Sequence, residues 1–274
     1  MQKPERIKIN SIDNINYDTA GEISLDSWKK WDYVKYPHAL VSGITGSGKT
    51  FFLYYLMLQF AKQGAEIYIL DPKRSDLSSL IHYIPKGDKH VLFTPNQIAS
   101  ALRKINDIMN QRYEKYFMSS GRVGMDYRSI GLHPIVIFFD EVAAFMEEDK
   151  KVAKEAEAYL KQISMKARMV GIYLVLSTQK PTAEALSTAI RDQMGMRIAL
   201  GNMSKPGYKM ALGDDWLELP KFEKGIGKGL IMIEGNGWNT PKEFDAPYLN
   251  LENLDFHGTL ANLLEANEIR FINE

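Results

Sequence analysis

The chain has 274 residues, 45% of them hydrophobic, enough to fill the core of one large α/β domain or two small ones. Its 34 Lys and Arg balance 34 Asp and Glu, so there is no chain-wide basic field and any nucleic-acid contact must be local. The lack of cysteine excludes disulfides, thiol catalysis and cysteine-ligated metal, and five scattered His with no HExxH spacing argue against a zinc site.

The N-terminal segment MQKPERIKINSIDNINYD has no apolar core of signal-peptide type. The longest apolar stretch, Phe51 to Ala61, is too short to span a bilayer, so a cytoplasmic chain is expected. Runs rich in Val and Ile at 39–42, 66–70, 135–139, 172–176, 196–200 and 229–233 alternate with helical patterns. This order predicts an α/β fold with a mostly parallel sheet flanked by helices on both faces. Over 152–169, Val152, Ala156, Leu160, Ile163 and Ala167 share one helical stripe with Lys and Glu opposite, as expected of a sheet-covering helix. The glycines of 225–229 read as a turn before a last strand. With no repeat, low-complexity run or linker, one domain is expected.

The sharpest local signal is GITGSGKT, Gly43 to Thr50, set directly after the run HALVS and before FFLYYLMLQFA. It matches the P-loop pattern GxxxxGK[ST] in the strand, loop, helix context that pattern requires. Gly43, Ile44, Thr45, Gly46, Ser47, Gly48, Lys49 and Thr50, with Phe51 opening the helix, are therefore the candidate ATP-binding residues. Glycines let backbone N–H groups and the helix N-terminus face phosphate, Lys49 reaches the β- and γ-phosphates, and Thr50 offers a hydroxyl to Mg²⁺. The run IVIFFDE ends a strand in two carboxylates at the edge where open parallel sheets bind ligands. Asp140 is assigned to the Mg²⁺ shell and Glu141 to polarising the attacking water. A third apolar strand, LVLSTQKP, carries Ser177, Thr178 and Gln179 to the same edge, with Gln179 the candidate for sensing the γ-phosphate or placing water.

Several segments beyond these generic motifs resemble the FtsK/SpoIIIE motors over about 36–233: KYPHALVSGITGSGKT, ILDPKRSDLSSL, MNQRYEKYFMSSG and MKARMVGIYLVLSTQKP. The resemblance extends to the coupling ATPases of conjugative elements in the FtsK/HerA group. It implies a RecA-like P-loop NTPase that assembles as a ring, a hexamer, and uses ATP to pull double-stranded DNA for transfer or segregation. It places the motor domain at 36–250, an N-terminal extension at 1–35 and a C-terminal tail at 251–274. Arg168, in the place of the Arg of the family's KAR segment, is the arginine finger offered in trans, and Arg197 in MGMRIAL is the second candidate. Lys180, Lys205 and Lys209 fall where the family lines its channel with basic residues, so they are the candidate DNA contacts. All three are Lys where the family carries two Arg, which keeps charge but loses bidentate phosphate geometry. The resemblance also implies a relaxase or membrane-anchored transfer protein as partner, and a place at the inner face of the membrane reached through a partner or a further segment. Two alternatives stay open: an ATP-binding adaptor of a secretion or mobilisation machine without pumping, and a P-loop small-molecule kinase.

Overall fold

The Val- and Ile-rich runs become the strands of one eight-stranded sheet. The structure is a computed structural model and describes residues 5–11, 21–118, 124–182, 185–213, 218–223 and 225–273. Along the chain the strands are β1 Ala39–Gly43, β2 Glu66–Leu70, β3 Val91–Leu92, β4 Ile135–Phe139, β5 Ile172–Thr178, β6 Met196–Leu200, β7 Lys228–Ile233 and β8 Lys242–Asp245. The helices used below are α1 Lys49–Lys62, α2 Pro95–Arg112, α3 Val142–Glu148, α4 Lys150–Lys166, α5 Lys205–Leu212 and α6 Phe256–Asn273. In space the strand order is β8-β7-β6-β1-β5-β4-β2-β3, and neighbours from β6 to β3 pair in parallel.

Every residue of β1, β4 and β5 is buried, because helices cover both faces. Alternate side chains then feed two cores. Val41, Val136, Phe138 and Val175 meet α1 on one face, while Leu40, Ile137, Phe139 and Leu174 meet α2 and α4 on the other. The stripe on α4 runs through Ala153, Ala156, Leu160 and Ile163, with Val152 only partly buried. This helix stops at Lys166, so Arg168 lies in the turn that leads to β5.

Helix α1 is apolar nearly all round, a pattern that needs cover on more than the sheet side. Both flanks of the 36–250 span supply it. From the N-terminal side, the hairpin Glu22–Ser24 with Lys30–Asp32 brings Trp31 and Tyr33 onto Phe60, with ring centroids 6.0 and 4.8 Å away. From the C-terminal side, α6 stacks Phe256 on Tyr54 at 4.1 Å, and Asn267 donates to the Ala61 carbonyl at 2.8 Å. Among the described residues no helix is long and apolar enough to cross a membrane.

The exception to the parallel order is β7, which runs antiparallel to β6. The chain leaves β6 at Leu200 and re-enters the sheet beside it, with the Gly201 N–H donating to the Lys228 carbonyl at 2.8 Å. The whole excursion between them therefore starts and ends at the same sheet edge, the one where β1 ends.

His38 fixes the start of β1. It is fully buried, in the left-handed region at φ 64°. Its Nδ1 accepts from the Leu174 N–H at 3.0 Å, so the proton must sit on Nε2, which donates to the Ser164 carbonyl at 3.1 Å. Burial therefore lowers its pKa from 6.5 to about 4, the Ser164 bond only partly opposing this. The unfolded chain takes up this proton below pH 6.5 and the folded chain only near pH 4, so acid favours unfolding in that window. Stability should fall by roughly 3 kcal/mol between those limits on this account. Urea midpoints measured from pH 7 to 4 should show the decline, and His38→Gln, which keeps one acceptor and one donor, should flatten it. An equal slope in both proteins would reject His38 as its source.

Candidate nucleotide site

The loop from Gly43 to Thr50 joins β1 to α1, with Gly46 at φ 76° and Gly48 at φ 91°, values that favour glycine. At Gly48 space matters as well, since a Cβ there would lie 2.9 Å from the Gly227 backbone nitrogen. The Gly227 N–H donates to the Ser47 carbonyl at 2.8 Å. The glycine turn before β7 is thus packed on the P-loop, a contact that sequence spacing could not reveal.

Lys49 is 9% exposed and its Nζ lies 2.6 Å from Asp140 Oδ1 and 3.0 Å from Ser177 Oγ. The Ser177 hydroxyl also donates to Asp140. On the other carboxylate oxygen, the Ser75 hydroxyl lies 3.2 Å from Asp140 Oδ2 and 3.0 Å from Asp71 Oδ2. Burial alone would raise the Asp140 carboxyl, but the Lys49 ammonium and the bonds from Lys49, Ser177 and Ser75 hold it below the usual carboxylate range. Asp71 is fully buried; its Oδ2 accepts from the Ser78 amide and hydroxyl at 3.0 and 2.7 Å, while its Oδ1 has no partner. Ser47 Oγ in the P-loop is also buried without one. Unsatisfied buried oxygens are rare in proteins and mark positions that a ligand can complete.

Glu141 adopts the left-handed conformation at φ 48° and caps the start of α3. The Gln179 N–H reaches both of its oxygens at 3.1 and 3.3 Å, the Thr178 hydroxyl donates to Oε1 at 3.1 Å, and Lys73 Nζ lies 3.5 Å from Oε2. The Gln179 side chain accepts from the Thr45 hydroxyl of the P-loop at 3.1 Å. The tip of β5 therefore bridges the phosphate loop and the carboxylate pair, which brings together Lys49, Asp140, Glu141 and Gln179 as the motifs suggest. Sequence reading missed Asp71, Lys73 and Ser75, although the DPKRS segment at a strand end was a usable signal.

The structure keeps Arg168 and Arg197 away from this cluster. Arg197 pairs with Leu40 in the register that sets Gly43 against Leu200, so it sits three residues, about 10 Å, down the strand from the P-loop. Its Nε donates to the Met194 carbonyl at 3.1 Å and its Nη2 lies 3.5 Å from Glu234. Arg168 donates to the Lys35 carbonyl at 3.3 Å, just ahead of β1. It lines a cavity of about 940 Å³ with Lys35, Met165, Asp192 and Glu234. Lys180, Lys205 and Lys209 are exposed and lie on the opposite, P-loop edge, where Ile44, Gln179, Lys180 and Pro206 line a cleft of about 600 Å³.

A mostly parallel sheet with a P-loop at its first central strand and acidic and polar strand tips beside it defines a P-loop NTPase fold of the α/β class. Residues 12–131 match the FtsK/SpoIIIE family. The FtsK domain-containing protein YdcQ of Bacillus subtilis (strain 168) is 38% identical over 247 residues, 89% of this chain and 50% of that protein. The DNA translocase FtsK of Staphylococcus epidermidis (RP62A) is 28% identical over 231 residues, 78% of this chain and 28% of that protein. The chain thus spans half or less of these two relatives. A structure of the pCW3 conjugation coupling protein TcpA, a monomer form with ATPgS, superposes with a TM-score of 0.75 at 21% identity, covering 96% of this chain and 75% of that one. ATPases 2 and 3 of EssC from Geobacillus thermodenitrificans superpose at 0.70 with 15% identity, covering 98% and 53%.

Lys49 and Asp140 are charges that each depend on the other in a buried site. A double-mutant cycle with Lys49→Met and Asp140→Asn in nucleotide-free protein should give a favourable coupling of roughly 1–3 kcal/mol in urea unfolding. A coupling near zero would mean that the pair does not form in solution.

Proposed function

We propose that this domain is the motor of an ATP-driven double-stranded DNA translocase that works as a ring, of the kind that couples DNA to a conjugative transfer machine. The observation that carries this reading is the split between two sheet edges. The P-loop, Asp140, Glu141 and the three exposed lysines share one edge, while Arg168 and Arg197 occupy the other. Neither of these arginines contacts the Lys49 cluster of its own chain, which supports a finger supplied by a neighbouring copy. Head-to-tail contacts of that kind close into rings. A hexamer multiplies a small basic loop sixfold around the duplex, which reconciles DNA grip with a chain of zero net charge.

In this reading the P-loop amides and Lys49 hold the β- and γ-phosphates. Thr50 and Asp140 would hold Mg²⁺, which neutralises phosphate charge when bound. Glu141 orients the attacking water, Gln179 reports on the γ-phosphate, and the arginine finger offsets charge in the transition state. Lys180, Lys205 and Lys209 contact DNA phosphates without reading sequence. A relaxase or membrane-anchored transfer protein at the inner face of the membrane would present the DNA.

Long duplex DNA should stimulate the ATPase. Lys180→Ala, Lys205→Ala and Lys209→Ala combined should weaken DNA binding and flatten its dependence on log salt by roughly 0.9 for each phosphate that is no longer neutralised. An unchanged slope would place DNA on another surface.

Arg168→Ala should leave ATP affinity near wild type while turnover falls by about 10³-fold or more. Mixing Arg168→Ala chains with Glu141→Gln chains creates boundaries that contain one intact finger and one intact carboxylate, so activity should partly return. If verified mixed rings stay inactive, the finger does not act in trans.

A further inference from the structure

The residue assigned to water activation is not free to do it in this conformation. Glu141 is 3% exposed, and both oxygens are engaged by the Gln179 N–H, the Thr178 hydroxyl and the Lys73 ammonium. A group that polarises water must put an oxygen within hydrogen-bond reach of that water. Here the carboxylate is buried and each of its oxygens already faces a donor, which leaves little room for water. The backbone at φ 48°, ψ 55° is itself costly for a side chain with a Cβ, so the surrounding bonds must hold it.

Two of those donors are consecutive residues, Thr178 and Gln179, and Lys180 follows them along the chain. The Thr178 hydroxyl has one proton and two acceptors near it, Glu141 Oε1 at 3.1 Å and the Lys180 carbonyl at 3.2 Å. The same oxygen accepts from the Lys180 N–H at 3.2 Å. Gln179 ties its amide to Glu141 and its side chain to Thr45 of the P-loop. Lys180 then points into solvent at the lysine-bearing edge. A pull on the Lys180 side chain displaces the peptide groups on either side of its Cα, and those groups set which acceptor the Thr178 proton serves. Bound nucleotide can act on the same tip from the other side through Thr45.

We propose that Thr178 is a positioning residue that, with the Gln179 amide and Lys73, holds Glu141 in a resting conformation, and that a DNA phosphate on Lys180 releases it. Hydrolysis is then gated by DNA through the β5 tip, within one subunit. This rests on the reading of Lys180 as a DNA contact, but the restraint itself can be measured without DNA.

The test is the steady-state ATPase of the full chain, with and without long duplex DNA, for wild type, Thr178→Val, Lys73→Ala and Thr178→Ser. Thr178→Val keeps the shape of a buried strand position and removes the hydroxyl. Lys73 is exposed, so its replacement tests the same restraint without risk to folding. Loss of a hydrogen bond that is shared with the Lys180 carbonyl, and so of ordinary strength, should raise DNA-free kcat by about threefold to tenfold in Thr178→Val, and less in Lys73→Ala. The KM for ATP should stay put, the stimulation by DNA should shrink by the same factor, and Thr178→Ser should behave as wild type. A DNA-free kcat at or below wild type in both Thr178→Val and Lys73→Ala overturns the restraint, even if wild type is strongly stimulated by DNA. A raised DNA-free kcat in a protein that DNA does not stimulate would uphold the restraint, overturn its release by DNA and count against the translocase reading.

Discussion

Lys49 opens the helix that follows β1, and Asp140 directly follows β4, two strands away with β5 between them. Their 2.6 Å contact can form only if all three strand ends stop at the same height and β5 ends in a small polar side chain. Ser177 meets that need, lying 3.0 Å from the ammonium and bonded to the carboxylate. A buried charge without its partner is costly, so the pair ties the ends of β1, β4 and β5 into one unit. The same pair therefore keeps the P-loop and the acidic strand end assembled.

From Asp140 the network runs outward through Ser75 to Asp71, and from Glu141 through Thr178 and Gln179 to the P-loop threonine. Both branches stay on one edge of the sheet. On the far edge, Arg168 and Arg197 gather near Glu234 and the approach to β1. The phosphate loop and these two arginines thus stand at opposite edges of the sheet. The antiparallel β7 adds to the first edge, since its entry turn lays Gly227 on Ser47 and buttresses the P-loop.

Much of this was legible in the sequence because the signals are local. The succession of strands along the chain, the P-loop, the DE strand end and the polar tip of β5 all follow from runs of a few residues whose spacing has one stereochemical reading. The resemblance to FtsK/SpoIIIE motors came from segments of the same kind, such as KARMVGIYLVLSTQKP. The cover of α1 was less visible. The run from Phe52 to Ala61 announces a helix buried on all sides, yet nothing in it says that a hairpin at 22–32 and a helix at 256–273 provide the cover.

What the sequence determined by itself was the chemistry available and the strand each group would end. Lysine follows a glycine loop, two acids end one apolar strand, and Ser, Thr and Gln end another, because periodicity and loop composition are properties of neighbours along the chain. What only the tertiary structure decided was which groups meet and which are kept apart. That Lys49 lies on Asp140, that Glu141 is held by its neighbour strand, and that the arginines stand at the opposite edge all depend on strand order and register. A one-strand change in that order would leave every motif intact and separate the charges that the site needs within a few ångströms of each other.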